Sequence, residues 1–143
     1  MSRRDKYHYN VKEALEKEGW KVTDDPYILR VKDEKNIVKS FPVDLGAEKL
    51  IAAEKGTIKI AIEVKTFEES SVINAYHKAL GQYMDYLAGL ELQEPNRKLY
   101  LAISTKAYQA LMENPLSKLS LRRFNVRVII VNINTNRIVQ WID

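Results

Sequence analysis

Residues Phe41 to Lys65 read FPVDLGAEKLIAAEKGTIKIAIEVK, and the last eight alternate strictly. Ile58, Ile60, Ile62 and Val64 fall on one side of an extended chain, and Lys59, Ala61, Glu63 and Lys65 on the other. The aliphatic set is a core face. The second set puts a carboxylate and an ammonium about 7 Å apart along the strand, close to its end. Glu54-Lys55-Gly56-Thr57 is a hairpin turn. The run Val43–Ala53 before it then folds back as the antiparallel neighbour, with Gly46 marking a bulge or bend. Leu50–Ala53 is apolar enough for a short helix, but the turn that follows favours a strand. Pro42-Val43-Asp44 adds a carboxylate, so the hairpin brings Asp44, Glu63 and Lys65 to one spot. Glu48 joins them only if the strand runs straight past Gly46.

Outward from this hairpin, helical and extended periods alternate along the chain. Tyr7, Val11, Ala14 and Leu15 share a helical face over Asp5–Glu18, which Gly19 ends. Trp20–Thr23 and Tyr27–Val31 read as short strands around Asp24-Asp25-Pro26, and Ile37–Phe41 leads into the hairpin. Downstream, Ser70 or Ser71 caps a helix over Val72–Leu90, where Val72, Tyr76, Ala79, Leu80, Tyr83, Met84, Leu87 and Leu90 repeat at three and four. Glu94-Pro95-Asn96 breaks the chain before Lys98–Ser104, whose continuous apolar centre suits a strand covered on both faces. Lys106–Glu113 and Leu116–Phe124 are short helices divided by Pro115. Val126–Val131 is a buried strand, and Ile138–Trp141 follows it after Asn134-Thr135-Asn136. The expected fold class is α/β: a mixed central sheet with helices on both faces.

At 143 residues the chain has the length of one ordinary domain with a core that needs no staples. No cysteine occurs, which removes disulfides and thiolate metal sites and suits a reducing compartment, so a cytoplasmic protein is expected. No apolar run reaches the ~20 residues of a membrane span, and the charged start lacks the apolar stretch of a signal peptide. A net charge of +4 permits contact with a phosphate backbone without demanding it. No glycine-rich phosphate loop, dinucleotide fingerprint or Ser/His/Asp order is present.

Phosphodiester hydrolysis needs an activated water and a cation that absorbs charge on the phosphate. Asp44 and Glu63, with a main-chain carbonyl near Val64, suit Mg²⁺ or Mn²⁺, which leaves its other positions to water and substrate. Lys65 would orient or deprotonate the water, or neutralise developing charge. A Glu-x-Lys pair by itself usually just solvates a strand face. What lifts this one is its apolar strand, where charges need a reason, and Asp44 across a hairpin-sized gap. Gln82 and Tyr86, four apart on the long helix with Lys78 a turn earlier, lie beside its apolar stripe. His8 lies at the edge of the first helix. Lys118, Arg122, Arg123 and Arg127 form the densest basic cluster, and Lys78, Arg122, Arg123 and Arg127 are the candidate DNA contacts.

Several stretches taken together resemble one family. They are His8, Val11-Lys12, Ala14-Leu15, Gly19-Trp20-Lys21-Val22-Thr23, Asp25-Pro26, Val43-Asp44-Leu45-Gly46-Ala47-Glu48, Ile62-Glu63-Val64-Lys65 and Ala79-Leu80-Gly81-Gln82-Tyr83. The set, which spans essentially the whole chain, resembles the XisH family, the fdxN element excision controlling factors of cyanobacteria. That family is similar in fold to the PD-(D/E)XK restriction-endonuclease-like superfamily. The resemblance implies a role in programmed excision of a DNA element, alongside a recombinase and a XisI-like partner protein, and by analogy a homodimer. It implies catalytic Asp44, Glu63 and Lys65, with Gln82, Tyr86 and His8 as accessories. The literal Pro-Asp pair is interrupted here by Val43. Since a recombinase performs excision, the family role is equally met by a catalytically silent regulator. Asp44 and Glu63 converging within about 5 Å of one point beside Lys65 would suit a metal site; either one salt-bridged away or covered by packed side chains would suit the regulator.

Overall fold

The computed structural model describes residues 7–41, 50–67 and 71–143. Helix α1 (His8–Lys17) buries His8, Val11, Ala14 and Leu15, the i, i+3, i+4 stripe of one face. Its expected start at Asp5 lies outside the described residues. Gly19 ends it at φ +88°, a left-handed turn that glycine adopts without steric cost, and Gly19 and Trp20 donate to the carbonyls of Glu16 and Leu15. Strands β1 (Lys21–Asp24), β2 (Leu29–Lys32), β3 (Val38–Phe41), β4 (Leu50–Lys55) and β5 (Ile58–Val64) follow, then helix α2 (Val72–Gln93). Beyond it come β6 (Lys98–Ser104), α3 (Thr105–Glu113), α4 (Pro115–Arg123), β7 (Val128–Asn132) and β8 (Arg137–Ile142).

Six strands form one sheet in the order β1-β4-β5-β6-β7-β8. Its central strands β5, β6 and β7 are parallel, and the pairs β1–β4, β4–β5 and β7–β8 are antiparallel. The parallel steps are made by α2 and by the α3–α4 pair, whose interiors pack on the same sheet face; α1 covers the other. One face buries Ala52, Ala61, Leu99, Leu101 and Val128 under Tyr76, Ala79, Tyr83 and Leu90 of α2 and Leu111 and Leu121 of α3 and α4. The opposite face buries Ile51, Ile60, Ile62, Val64, Tyr100 and Ile129 with Val11 and Leu15 of α1. The mixed α/β layering expected from the sequence is therefore what the chain adopts.

The hairpin reading holds for its described part. β4 is a strand from Leu50, not a helix, and Lys55 faces Ile58 across a two-residue Gly56-Thr57 turn with Gly56 at φ +60°. Residues 42–49, with the expected bulge at Gly46, lie outside the described residues. Ser71 caps α2 by accepting from the Asn74 N–H, and Asn114 caps α4 over Pro115 at its first turn. Two expectations change. Ile58, placed in the core by alternation, is 56% exposed, because β6 begins pairing only at Ile60 and β4 alone flanks the strand before that row. The strand around Tyr27–Val31 does not join the main sheet. After the cis Asp25–Pro26 bond, β2 pairs with β3 alone, and Tyr27 and Leu29 turn their side chains into the α2 face of the core.

Two glycines of α2 separate packing from propensity. At Gly89 an added Cβ would meet Leu29 Cδ1 at 3.0 Å, whereas at Gly81 it would meet nothing within 4 Å. Gly81→Ala is expected to raise unfolding stability by about 0.5–1 kcal/mol through helix propensity. Gly89→Ala should show no such gain, because the β2–β3 hairpin must shift. Urea denaturation of the two variants checks the contrast.

Candidate functional site

Glu63 and Lys65 lie on the face of β5 that carries Ala61, and this face is not the solvated one that alternation suggests. Helix α2 covers it: Glu63 has 0% exposure and Lys65 5%. Lys65 extends the β5–β6 ladder one residue past the strand, donating its N–H to Ala102 O at 3.0 Å. Its Nζ stands 3.5 Å from Glu63 Oε2 and donates to the Gln82 side-chain oxygen. The Glu-x-Lys strand and the Gln of the helix motif, separated by 17 positions, are thus one constellation. In bulk water such a pair would contribute little. Under a helix, Coulomb attraction is stronger, but so is the desolvation cost.

Tyr83, the next helical residue after Gln82, extends the constellation. Its hydroxyl donates to Leu99 O and accepts from the Arg127 N–H, both at 3.2 Å. Burial, the dominant influence, holds its pKa up; Arg127 draws it down and Glu63 pushes it further up. The phenol therefore remains protonated and serves as a fixed hydrogen-bond bridge between α2, β6 and β7. Register places Glu63 beside Leu101 and Leu101 beside Val128, so Arg127 enters two strands across from the acidic side chain. Sequence reading missed Tyr83 because its spacing is that of the apolar stripe.

The remaining candidates are dispersed. Asp44 and Glu48 lie outside the described residues, and among the described residues no three His, Asp or Glu side chains are grouped to hold a metal. Tyr86 lines a groove between α2 and the β2–β3 hairpin with Leu29, Phe41 and Gly89. Lys78 is exposed on α2, whereas Arg122 and Arg123 are exposed in the last turn of α4, where they complement the negative end of the helix dipole. His8 is buried on α1, and its Nε2 lies 2.9 Å from Asp25 Oδ2, to which Lys12 Nζ also donates at 3.0 Å. Its partner is thus Asp25 at the β1 edge.

Two polar clusters escaped the sequence reading. In the first, His8 and Lys12 converge on Asp25. In the second, the Arg97 guanidinium donates to Ile60 O at 2.9 Å and to both oxygens of Glu94, at 3.2 and 3.3 Å. It also lies 5.0 Å over the Tyr27 ring, whose hydroxyl donates to Glu94. Gln93 completes the clasp by donating to Tyr27 and Ile28 O and accepting from the Arg30 N–H. His8 and Lys12 are one turn apart on α1 and Glu94 and Arg97 three apart, but Asp25 and Tyr27, which join each cluster, come from other elements and no spacing rule reveals them.

For Asp25, burial alone would raise the carboxyl pKa, but the hydrogen bonds from His8 and Lys12 outweigh it and the net shift is downward. A folded-state pKa below the unfolded value of about 4 means stability that is present above that pH and lost as pH falls through the folded value. Asp25→Asn should therefore cost about 1–2 kcal/mol at pH 7 and flatten the decline in melting temperature on acidification. Thermal scans between neutral and acidic pH read both effects.

With this geometry in view, comparison with known proteins identifies close kin. The family model described as XisH protein matches residues 1–139. The structure of an XisH family protein from Nostoc punctiforme PCC 73102 is similar at 37% identity and a TM-score of 0.83, covering 96% of this chain and 98% of that one. A fdxN element excision controlling factor protein from Anabaena variabilis is similar at 36% identity and the same TM-score of 0.83, with coverage of 96% and 98%. No curated protein matches. A family model over nearly the whole sequence and relatives more than a third identical end to end establish that the chain belongs to the XisH family.

Proposed function

We propose that this XisH protein acts on DNA in the control of fdxN-type element excision, as a restriction-endonuclease-like Mg²⁺-dependent phosphodiester hydrolase. The observation that supports this most is the Lys65 ammonium held between Glu63 and Gln82 beneath α2. An apolar pair of similar volume would be as stable or more so, so retention of two buried charges at a strand end points to chemistry rather than to folding.

The donor set suits the metal. Mg²⁺ and Mn²⁺ favour carboxylate oxygen, and Mg²⁺ is typically held by only one or two carboxylates. Glu63 offers one, and Asp44, outside the described residues, would be the other ligand. The ion, when bound, would supply Lewis acidity at the phosphate. Lys65 would hold the attacking water or balance charge on the pentavalent phosphorus, with its position fixed by the Gln82 amide. Tyr83 would keep α2 seated on the strands while DNA approaches. Lys78, one turn before Gln82 on α2, and Arg127, whose N–H donates to Tyr83, would contact the DNA backbone beside this constellation, together with Arg122 and Arg123 on α4.

A second reading has an observation of its own. Glu63 is wholly enclosed and Lys65 nearly so, as in a catalytically silent regulator that uses the same fold to bind a XisI-like protein or DNA. One pair of variants separates the two. Lys65→Ala leaves the Glu63 carboxylate buried without its ammonium and should destabilise by about 3–5 kcal/mol. Glu63→Gln with Lys65→Met removes both charges at similar volume and should fold at least as well as the parent. For the hydrolase, the parent nicks or cuts DNA with Mg²⁺ or Mn²⁺ and binds Mn²⁺ in solution, and the folded double variant loses both. A parent that cuts no DNA form, with Mn²⁺ affinity unchanged in the double variant, rejects the hydrolase and leaves the regulator.

A further inference from the structure

On the α2 side of the sheet, away from the Glu63–Lys65 pair, a cleft of about 320 Å³ opens between α3, α4 and the β7–β8 ribbon. Its size is at the lower end of small-ligand pockets. Tyr108 and Met112, one turn apart on α3, form one wall, and Lys118 and Arg122, one turn apart on α4, form the rim facing them. Val128 and Ile142 line the apolar floor, with the Gln140 amide beside it.

The charges on this rim are not required by the fold. Among the described residues no acidic group forms an ion pair with Lys118 or Arg122; Asp143, which also lines the cleft, is engaged by the Tyr100 hydroxyl instead. Arg122 is placed to complement the C-terminal end of the α4 dipole, but Lys118 lies a full turn before that end. Two unpaired cations over an aromatic wall and an apolar floor, with one amide in reach, match a ligand that has an anionic end and a flat ring carrying polar edges. We propose that the cleft binds one nucleotide unit. The phosphate lies between Lys118 and Arg122, the base stacks on Tyr108 with Met112 beside it, and Gln140 meets the base edge. An aromatic face and an amide are the groups that recognise an unstacked base, and an arginine–lysine pair recognises its phosphate.

The unit has two sources, a free mononucleotide or an unpaired nucleotide of a single strand, and the test treats both. Titration of the full chain with dAMP and dGMP, and separately with a short single-stranded oligonucleotide, is followed by amide chemical shifts and calorimetry. At least one should bind saturably, with a mononucleotide dissociation constant of about 0.01–1 mM, and move resonances of Tyr108, Lys118 and Gln140. Tyr108→Ala should weaken binding about tenfold and Tyr108→Leu nearly as much, while Tyr108→Phe keeps it. Lys118→Ala with Arg122→Ala should abolish it without changing the melting temperature by more than a few degrees. Binding to the oligonucleotide alone assigns the source to nucleic acid, and binding to mononucleotides alone assigns it to free nucleotides. Saturation by neither, or binding that Tyr108→Ala and the double variant leave unchanged, overturns the proposal. Because the cleft shares no residue with Glu63 and Lys65, loss of metal-dependent cleavage in the Glu63→Gln, Lys65→Met chain leaves this outcome untouched.

Discussion

Lys65 leaves strand β5 with its ammonium between the Glu63 carboxylate and the Gln82 amide, in a place from which water is almost excluded. A cation there must keep both partners, because loss of either leaves a desolvated charge whose cost exceeds that of most single core contacts. The register of α2 is fixed by this requirement. With Gln82 over the end of β5, the three- and four-residue stripe sets Tyr76, Ala79 and Tyr83 down on Ala61, Leu99 and Leu101, and Tyr83 reaches Leu99 O and the Arg127 amide. Rotating α2 by one residue would break the polar contact and the apolar packing together. The buried polar contact and core packing therefore impose the same position on the helix, a form of consistency between local and global preference.

Much of this was readable before any coordinates. The extended run Ile58–Val64, the Gly56 turn, the capping Ser71 and the α2 stripe all correspond to structure, because each expresses a period or a backbone requirement within a single element. The layering of a mixed sheet between helices follows from them. What failed to show was anything decided between elements. The second face of β5, carrying Lys59, Glu63 and Lys65, was legible only as the strand's polar face, with Glu63 and Lys65 as site candidates. Only the seating of α2 makes two of these interior while Lys59 stays outside, within 4 Å of Glu54 and Glu94. Likewise β2 carried a plausible strand pattern, and nothing within it announced that it would leave the main sheet for α2. At the candidate site, Glu63, Lys65 and Gln82 were legible as a motif and are in contact. Tyr83 was hidden in an apolar repeat, and Asp25 looked like a loop residue before proline.

The sheet divides the molecule's polar work between its two sides. On the α2 side, the buried cations Lys65 and Arg97 each have a partner: the Lys65 pair at one end of β5, and the Arg97–Glu94–Tyr27 clasp near the other, where Arg97 caps Ile60 O. Both clamp α2 against β5, one through its middle and one through its last turn. The clasp also carries the β2–β3 hairpin, so that a small two-stranded ribbon with little apolar area of its own gains a rigid attachment. Gly89 allows this approach, since any Cβ would stand at the tip of Leu29. The α1 side has a drier interior: Val11, Leu15, Trp20 and Trp141 cover Ile62, Val64 and Tyr100, and polar contacts lie at the rim.

One of those rim contacts bears on how the chain reaches this structure. Asn10 donates to Ile133 O and Asn136, Glu13 accepts from Asn136, and Lys17 donates to Thr135 O, joining positions 118 to 126 residues apart. Helix α1 therefore finds most of its polar partners on the turn between β7 and β8, which is synthesised long after it. A ten-residue helix is marginal in water by itself, so α1 lacks these partners until β7 and the turn after it have emerged. Loop closure of this span is costly, and pairings of such high sequence separation slow folding. During synthesis the sheet face carrying Ile51, Ile62 and Val64 thus stays uncovered longest, and it is the surface a nascent chain of this architecture would offer to a chaperone.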